Sequence, residues 1–257
     1  MKDMTQGNPV KEVLLFSVPM ILASVFQQMY NAVDSIIVGQ FVGANALAAV
    51  GAAFPAMFLA MSVLIGITMG VQIIISQLFG AGEHERMRAT FATSIISLMI
   101  LVVIASVIGY FASGTILELM NTPPEIIADS KAYLDEIFKG LIFMFLYNLY
   151  TSVLRGVGDS KTPLYFLIIS SILNIVLDLV YVIQFGMGVR GVAVATVQSQ
   201  AVSVILCIIY TNIRIPLFRL GLKDLRVDFG ILRTVLRFGI PTAIQQSISA
   251  IGSMLVQ

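Results

Sequence analysis

Charge is what this sequence has least of. Of its 257 residues only 11% are Asp, Glu, Lys or Arg, against 58% hydrophobic residues and a mean hydropathy of +0.96. A soluble domain carries about 25% charged residues to cover its surface, so a water-soluble globular fold is excluded. Tryptophan is absent, which leaves any interfacial aromatic belt to the 8 Tyr and 16 Phe. The single cysteine, Cys207, excludes an intrachain disulfide and a Cys-rich metal site. It lies in an apolar run and reads as an inert buried thiol. The single histidine, His84, sits in the charged string Gly82-Glu83-His84-Glu85-Arg86 and reads as solvated. A net charge of +1 offers nothing to nucleic acid or to an acidic partner. The first apolar run is longer than the roughly 7–15 residues of a signal-peptide core, and no Ala-x-Ala follows it. It reads as a retained membrane helix.

What is present in abundance is long apolar runs. Six are clear, at Val13–Val38, Ala46–Leu78, Thr90–Ala112, Tyr133–Leu154, Leu164–Phe185 and Val192–Thr211, and a seventh starts near Ile231. Each of the six meets or exceeds the roughly 20 residues a spanning helix needs. The second, with Pro55, Gly66 and Gly70 inside it, is expected to tilt, bend or protrude. Connections are short. Asn121-Thr122-Pro123-Pro124 reads as a helix stop followed by a helix start. Asn212–Gly230 is the longest connection and is expected along the membrane surface. Of the 15 basic residues, 12 fall on the N-terminal side, Lys131 and Arg190 on the opposite side, and Lys139 within the fourth run. The positive-inside rule then places the N-terminus in the cytoplasm.

The string Val13-Leu14-Leu15-Phe16-Ser17-Val18-Pro19 returns as Val235-Leu236-Arg237-Phe238-Gly239-Ile240-Pro241. The pattern V-L-x-F-x-[VI]-P implies two parallel repeats, the arrangement of transporters with two similar bundles about a central cavity. In this register Asp34 faces Val256, so the second copy lacks the acid.

Two carboxylates stand inside the apolar runs. Asp34 shares a helix face with Gln27 and Asn31, and Asp178 shares one with Asn174. No Lys or Arg lies near either within its run. A charge at the bilayer centre costs at least about 2.5–3.5 kcal/mol, so an unpaired acid there is expected to face a bundle interior or a watery cavity and to exchange a proton or hold a small cation. The fourth run adds Asn148 and the sixth Thr196, and Asn and Thr oxygens beside two carboxylates suit a hard cation. Ser, Thr and the other amides serve mostly as interhelical hydrogen-bonding groups. Met57 and Met61 are packing residues or a flexible lining for varied organic ligands. Pro19 lacks an N–H and weakens the first helix at that point, which makes it the expected hinge. Gly156-Val157-Gly158-Asp159 matches the GxGD string of intramembrane aspartyl proteases but falls in a polar turn, and the neighbouring Lys161 lacks the glycine of a Walker A loop. No enzyme is expected.

Together, Pro19 through Gln40 with Gln27, Tyr30, Asn31 and Asp34; Ser76–Gly82; Arg155–Pro163; Asn174–Asp178; and Gly188–Thr196 make the chain resemble the multidrug and toxic compound extrusion (MATE) family. The resemblance implies an all-α membrane fold: a six-helix N-terminal lobe over 13–212 behind a cytoplasmic segment 1–12, an interlobe connector over 213–230, and the start of a seventh helix over 231–257. It implies that Asp34, Asp178, Asn174 and Thr196 form the cation site (proton or sodium) and that Gln27 and Asn148 line the same cavity, to which Tyr30, Asn31, Met57 and Met61 are added here. The implied activity is export of organic, often cationic, compounds across the cytoplasmic membrane, coupled to inward proton or sodium flow, with no cofactor. Its partners would be the small organic substrate, the bilayer and a C-terminal lobe. A lipid-linked saccharide flippase is the alternative; acids instead of bases in the helices disfavour it.

Overall fold

The structure is a computed structural model that describes residues 9–221 and 226–256, with side chains over 13–221 and 226–248. It is all helix. The elements are α1 (Pro9–Ile37), α2 (Ala44–Gly80), α3 (His84–Leu119), α4 (Pro124–Gly156), α5 (Lys161–Leu179), α6 (Gly188–Arg214) and α7 (Phe229–Val256). A π-helical turn over Val38–Val42 extends α1, another over Val180–Gln184 extends α5, and a 3₁₀ turn over Pro216–Phe218 follows α6. Six helices are long and apolar enough to cross a membrane, and α7 follows them. Residues 222–225 of the expected connector lie outside the described residues.

The helices outrun the apolar segments that announce them. α2, α3 and α4 hold 37, 36 and 33 residues, or roughly 50–55 Å at about 1.5 Å per residue, against a hydrocarbon layer of about 30 Å. α2 remains one helix through Pro55. Their ends are written locally. After α2, Gly82 (φ 72°) donates to Phe79 O and Glu83 to Leu78 O; after α3, Asn121 (φ 54°) donates to Glu118 O and Thr122 to Leu117 O. After α4, Gly158 (φ 83°) and Asp159 repeat the pattern onto Arg155 O and Leu154 O. These are Schellman closures, with a left-handed residue satisfying the last carbonyls. Pro124 then opens α4, where a missing N–H costs nothing.

The GxGD string therefore has a structural account. Gly158 closes α4, and Asp159 accepts from Thr162 N (3.0 Å), Thr162 Oγ1 (2.7 Å) and Tyr210 Oη (3.0 Å), capping α5 and tying it to α6. Asp159→Ala is expected to cost about 1 kcal/mol of stability, in the range of a lost cap, and to leave ion binding unchanged. Thermal unfolding with and without added cation measures both.

α4 is the central helix, packed on α2, α3 and α6; α5 packs on α6, and α1 lies on α5. α4 accordingly supplies many of the buried side chains, Leu134, Ile137, Leu141, Phe145 and Leu149 among them. Because α1 rests on α5, the two acid-bearing helices are neighbours, and their π turns touch beyond the acids. Cys207 is buried and His84 exposed.

Candidate functional site

Asp34 and Asp178 stand close to the ends of their helices, just ahead of the two π turns. Such turns widen a helix locally and shift the register of side chains around it. The α1–α5 contact turns the two acids toward each other, and their carboxyl groups meet at hydrogen-bonding distance. Asp178 is fully buried and Asp34 half-buried. One oxygen of each, Oδ1, has no hydrogen-bond partner. Two carboxyl groups bond to one another only through a proton that one of them holds. Without it they repel, and a cation between them restores balance.

Asn174, one turn before Asp178 on the same face, is fully buried. In the orientation that satisfies both ends of its amide, the nitrogen donates to Asp178 Oδ2 (3.0 Å) and the oxygen accepts from Thr196 N (3.2 Å). Thr196 Oγ1 lies 3.3 Å from Tyr30 Oη, so α1, α5 and α6 are joined through one polar cluster. Among the described residues no Lys or Arg forms an ion pair with either acid. In this arrangement Asn174 presents its amide nitrogen to Asp178 and keeps its oxygen on Thr196 N, so only with the amide reversed would that oxygen face the acid pair.

The other expected site residues divide. Tyr30 joins the cluster through Thr196. Met57 lies at its edge, its sulfur 3.9 Å from Tyr133 Oη. Gln27 and Asn31 bond to one another at 3.4 Å, one turn apart on α1, with Asn31 exposed. Asn148 turns back on its own helix and donates to Met144 O at 2.8 Å. Met61 packs against the apolar core. Pro19 is buried within a continuous α1. The side chain of Val256, the repeat counterpart of Asp34, lies outside the described residues.

Tyr133 of α4 was missed from the sequence. It is buried, 4% exposed, and within electrostatic reach of both Asp34 and Asp178. Its only signal is a hydroxyl at the start of an apolar run, which interfacial tyrosines share.

The MatE family model matches residues 19–180. A probable multidrug resistance protein, YoeA of Bacillus subtilis, is 36% identical over 253 residues, which cover 96% of this chain and 55% of that protein. A second B. subtilis protein, the probable multidrug resistance protein YpnP, is 31% identical over 99% of this chain and 57% of its own length. The chain thus spans about half the length of these curated relatives. A solved outward-facing multidrug resistance MATE family transporter of the MOP superfamily superposes with a TM-score of 0.89 at 27% identity, over 96% of this chain and 55% of that one. The matched residues include the helices that carry both acids. The chain belongs to the MatE family of membrane transporters, with the fold of their six-helix N-terminal lobe followed by a seventh helix.

Proposed function

We propose that this lobe carries the coupling site of a cation-driven exporter of organic, often cationic, compounds. The observation behind it is the pair Asp34–Asp178: two carboxyl groups from different membrane helices, facing each other with one unpartnered oxygen each and no basic partner among the described residues. A proton or a sodium ion entering from outside neutralises the pair; for sodium, the Thr196 hydroxyl and the Asn174 oxygen, with its amide reversed, complete the oxygen shell. The loaded and empty pairs differ in charge, so they favour different packings of α1 on α5. Pro19, which weakens the hydrogen-bond ladder of α1, is the hinge through which that difference moves the cytoplasmic half of the helix. Coupling is mutual: the cation drives substrate off to the extent that the two states differ in affinity for each. Gln27, Asn31, Asn148, Met57 and Met61 are the substrate-facing set in this reading. The charge count along the chain puts the N-terminus in the cytoplasm. The names of YoeA and YpnP agree with this activity.

Reconstitution tests it. The protein with both lobes, placed in liposomes, is given an inward sodium gradient and an inward proton gradient separately, with a fluorescent organic cation as cargo. Export driven by one gradient and not by its absence is expected. Export indifferent to both gradients would overturn the reading.

A further inference from the structure

Away from the coupling site, α4 carries a charged strip that the transport chemistry does not use. Lys131 Nζ pairs with Asp135 Oδ2 at 2.7 Å, and Ser113 of α3 donates to Asp135 Oδ1 at 2.5 Å. The next residue, Glu136, receives two cations at Oε1, Lys139 Nζ at 3.0 Å and Arg190 Nε of α6 at 2.9 Å. Three cations thus share two carboxylates. The charge is also layered: the carboxylate side chains are 16% and 14% exposed, while those of Lys131, Lys139 and Arg190 are 48%, 47% and 59% exposed. The strip therefore presents a net positive face outward, over anions held beneath it.

Its place in the membrane is specific. Gly140, next to Lys139, lies against Val197 of α6, which follows Thr196 of the coupling site. Lys139 is thus level with the coupling site and within a membrane-spanning helix. A long basic side chain at that depth reaches toward the interface and seeks an anion there. Between Lys131 and Lys139 lies the ring of Tyr110 on α3, 5.9 and 5.2 Å from the two ammonium groups. Deeper on the same faces come Val107 and Val103 of α3, 51% and 41% exposed, and Phe143 of α4, 38% exposed. Cations around an aromatic ring, with exposed apolar side chains continuing toward the midplane, match one phospholipid: phosphate at the lysines, an acyl chain along the valines.

We propose that the lipid-facing surface of α3 and α4 around Lys131, Tyr110 and Lys139, with Arg190 of α6 at its edge, is a binding site for the phosphate headgroup of an anionic phospholipid. With the N-terminus in the cytoplasm, as proposed above, the lipid belongs to the outer leaflet; an inverted chain would place it in the other leaflet without altering its chemistry.

The test uses the purified chain in detergent, with dioleoylphosphatidylglycerol or dioleoylphosphatidylcholine added and bound lipid counted by native mass spectrometry. The wild type is expected to retain phosphatidylglycerol in preference to phosphatidylcholine. Lys139→Met keeps the apolar stem, and Glu136 keeps Arg190, so the fold is expected to survive. At about 1 kcal/mol per basic residue near a lipid phosphate, it weakens retention about fivefold, and Lys131→Met with it about 25-fold. Lys139→Arg retains the lipid. Arg233→Gln with Arg237→Gln removes an exposed basic pair on α7 and leaves this site's affinity unchanged. Equal retention of the two lipids by the wild type, or undiminished phosphatidylglycerol binding in Lys139→Met, would overturn the proposal. Neither result bears on whether the Asp34–Asp178 pair couples transport.

Discussion

Asp34→Asn and Asp178→Asn, each alone, are expected to abolish gradient-driven export while leaving the lobe folded. Asparagine has the shape of a protonated aspartic acid, and its amide donates to the carboxylate that remains. Either variant therefore imitates the cation-loaded pair permanently. A state that cannot be emptied cannot be driven by a gradient, and a coupling free energy of roughly 1–3 kcal/mol, or about 5–150-fold in affinity, disappears. The fold does not suffer. Removing one of two facing carboxyl groups removes a repulsion that only a proton or cation relieves, so the thermal midpoint is expected to hold or rise. The purified chain offers a second readout. A cation that binds only the native pair raises the midpoint with concentration, and that rise is expected in the wild type and absent in both variants. Asp159→Asn, which changes a carboxyl group in the α4–α5 turn, keeps the rise. Matched amounts of Asp34→Asn or Asp178→Asn that export like the wild type would remove the pair from the mechanism.

The same pair shows how far sequence carries. A carboxylate in an apolar run is rare enough to stand out, and helical spacing puts Asn174 beside Asp178 without any coordinates. The number of membrane helices is legible for a related reason, since hydrocarbon enforces runs of a fixed minimum length. Helix ends inside those limits are legible where the turn chemistry is explicit, as at Asn121–Pro124 and Gly158–Asp159. Beyond the hydrocarbon the constraint lapses, which is why α2, α3 and α4 extend past their apolar runs. Tyr133 was hidden because it sits in the charged half of α4, among Asp129, Lys131, Asp135 and Glu136, where a tyrosine reads as interfacial, and periodicity does not fix which side meets Asp34. The π turns leave no mark in Val38–Val42 or Val180–Gln184, where neither proline nor charge signals them. The local bonds of Gln27 to Asn31 and of Asn148 to Met144 O follow from rotamers that spacing does not fix. Lys139 was visible inside its run, but Arg190 becomes its neighbour only through the packing of α4 on α6.

Gly66→Leu is expected to have the largest effect on stability. α2 and α7 run antiparallel along a seam of small residues. Ser62 Oγ lies 2.7 Å from Ser247 Oγ; one turn further Gly66 faces Ala243, and another turn on Gly70 faces Gly239 and the carbonyl of Val235. A Cβ on Gly70 would sit 2.6 Å from Val235 O and 2.7 Å from Gly239 N, and one on Gly66 would overlap the backbone of Ala243. These neighbours are main chain and cannot swing aside. A leucine at Gly66 therefore pushes α7 off α2 as a unit, at a cost of roughly 3 kcal/mol or more, the upper end of overpacking. Gly51, also on α2, meets nothing within 4 Å. Gly51→Leu should stabilise by a few tenths to about 1 kcal/mol through helix propensity alone, so the two substitutions differ in sign on one helix. Cross-linking reads the geometry directly. Ser62→Cys with Ser247→Cys is expected to form a disulfide under mild oxidation, while Cys207 stays out of reach in the core; adding Gly66→Leu should prevent it. α7 carries Val235–Pro241, the string that matches Val13–Pro19 of α1. Among the described residues α7 packs chiefly on α2 and to a lesser extent on α3, and its closest approach to α2 is main chain against main chain beside one hydroxyl pair. Such a contact constrains position tightly while leaving little to break when the helices part. If Gly66→Leu cross-linked as readily as its parent, the close approach would not exist in the membrane.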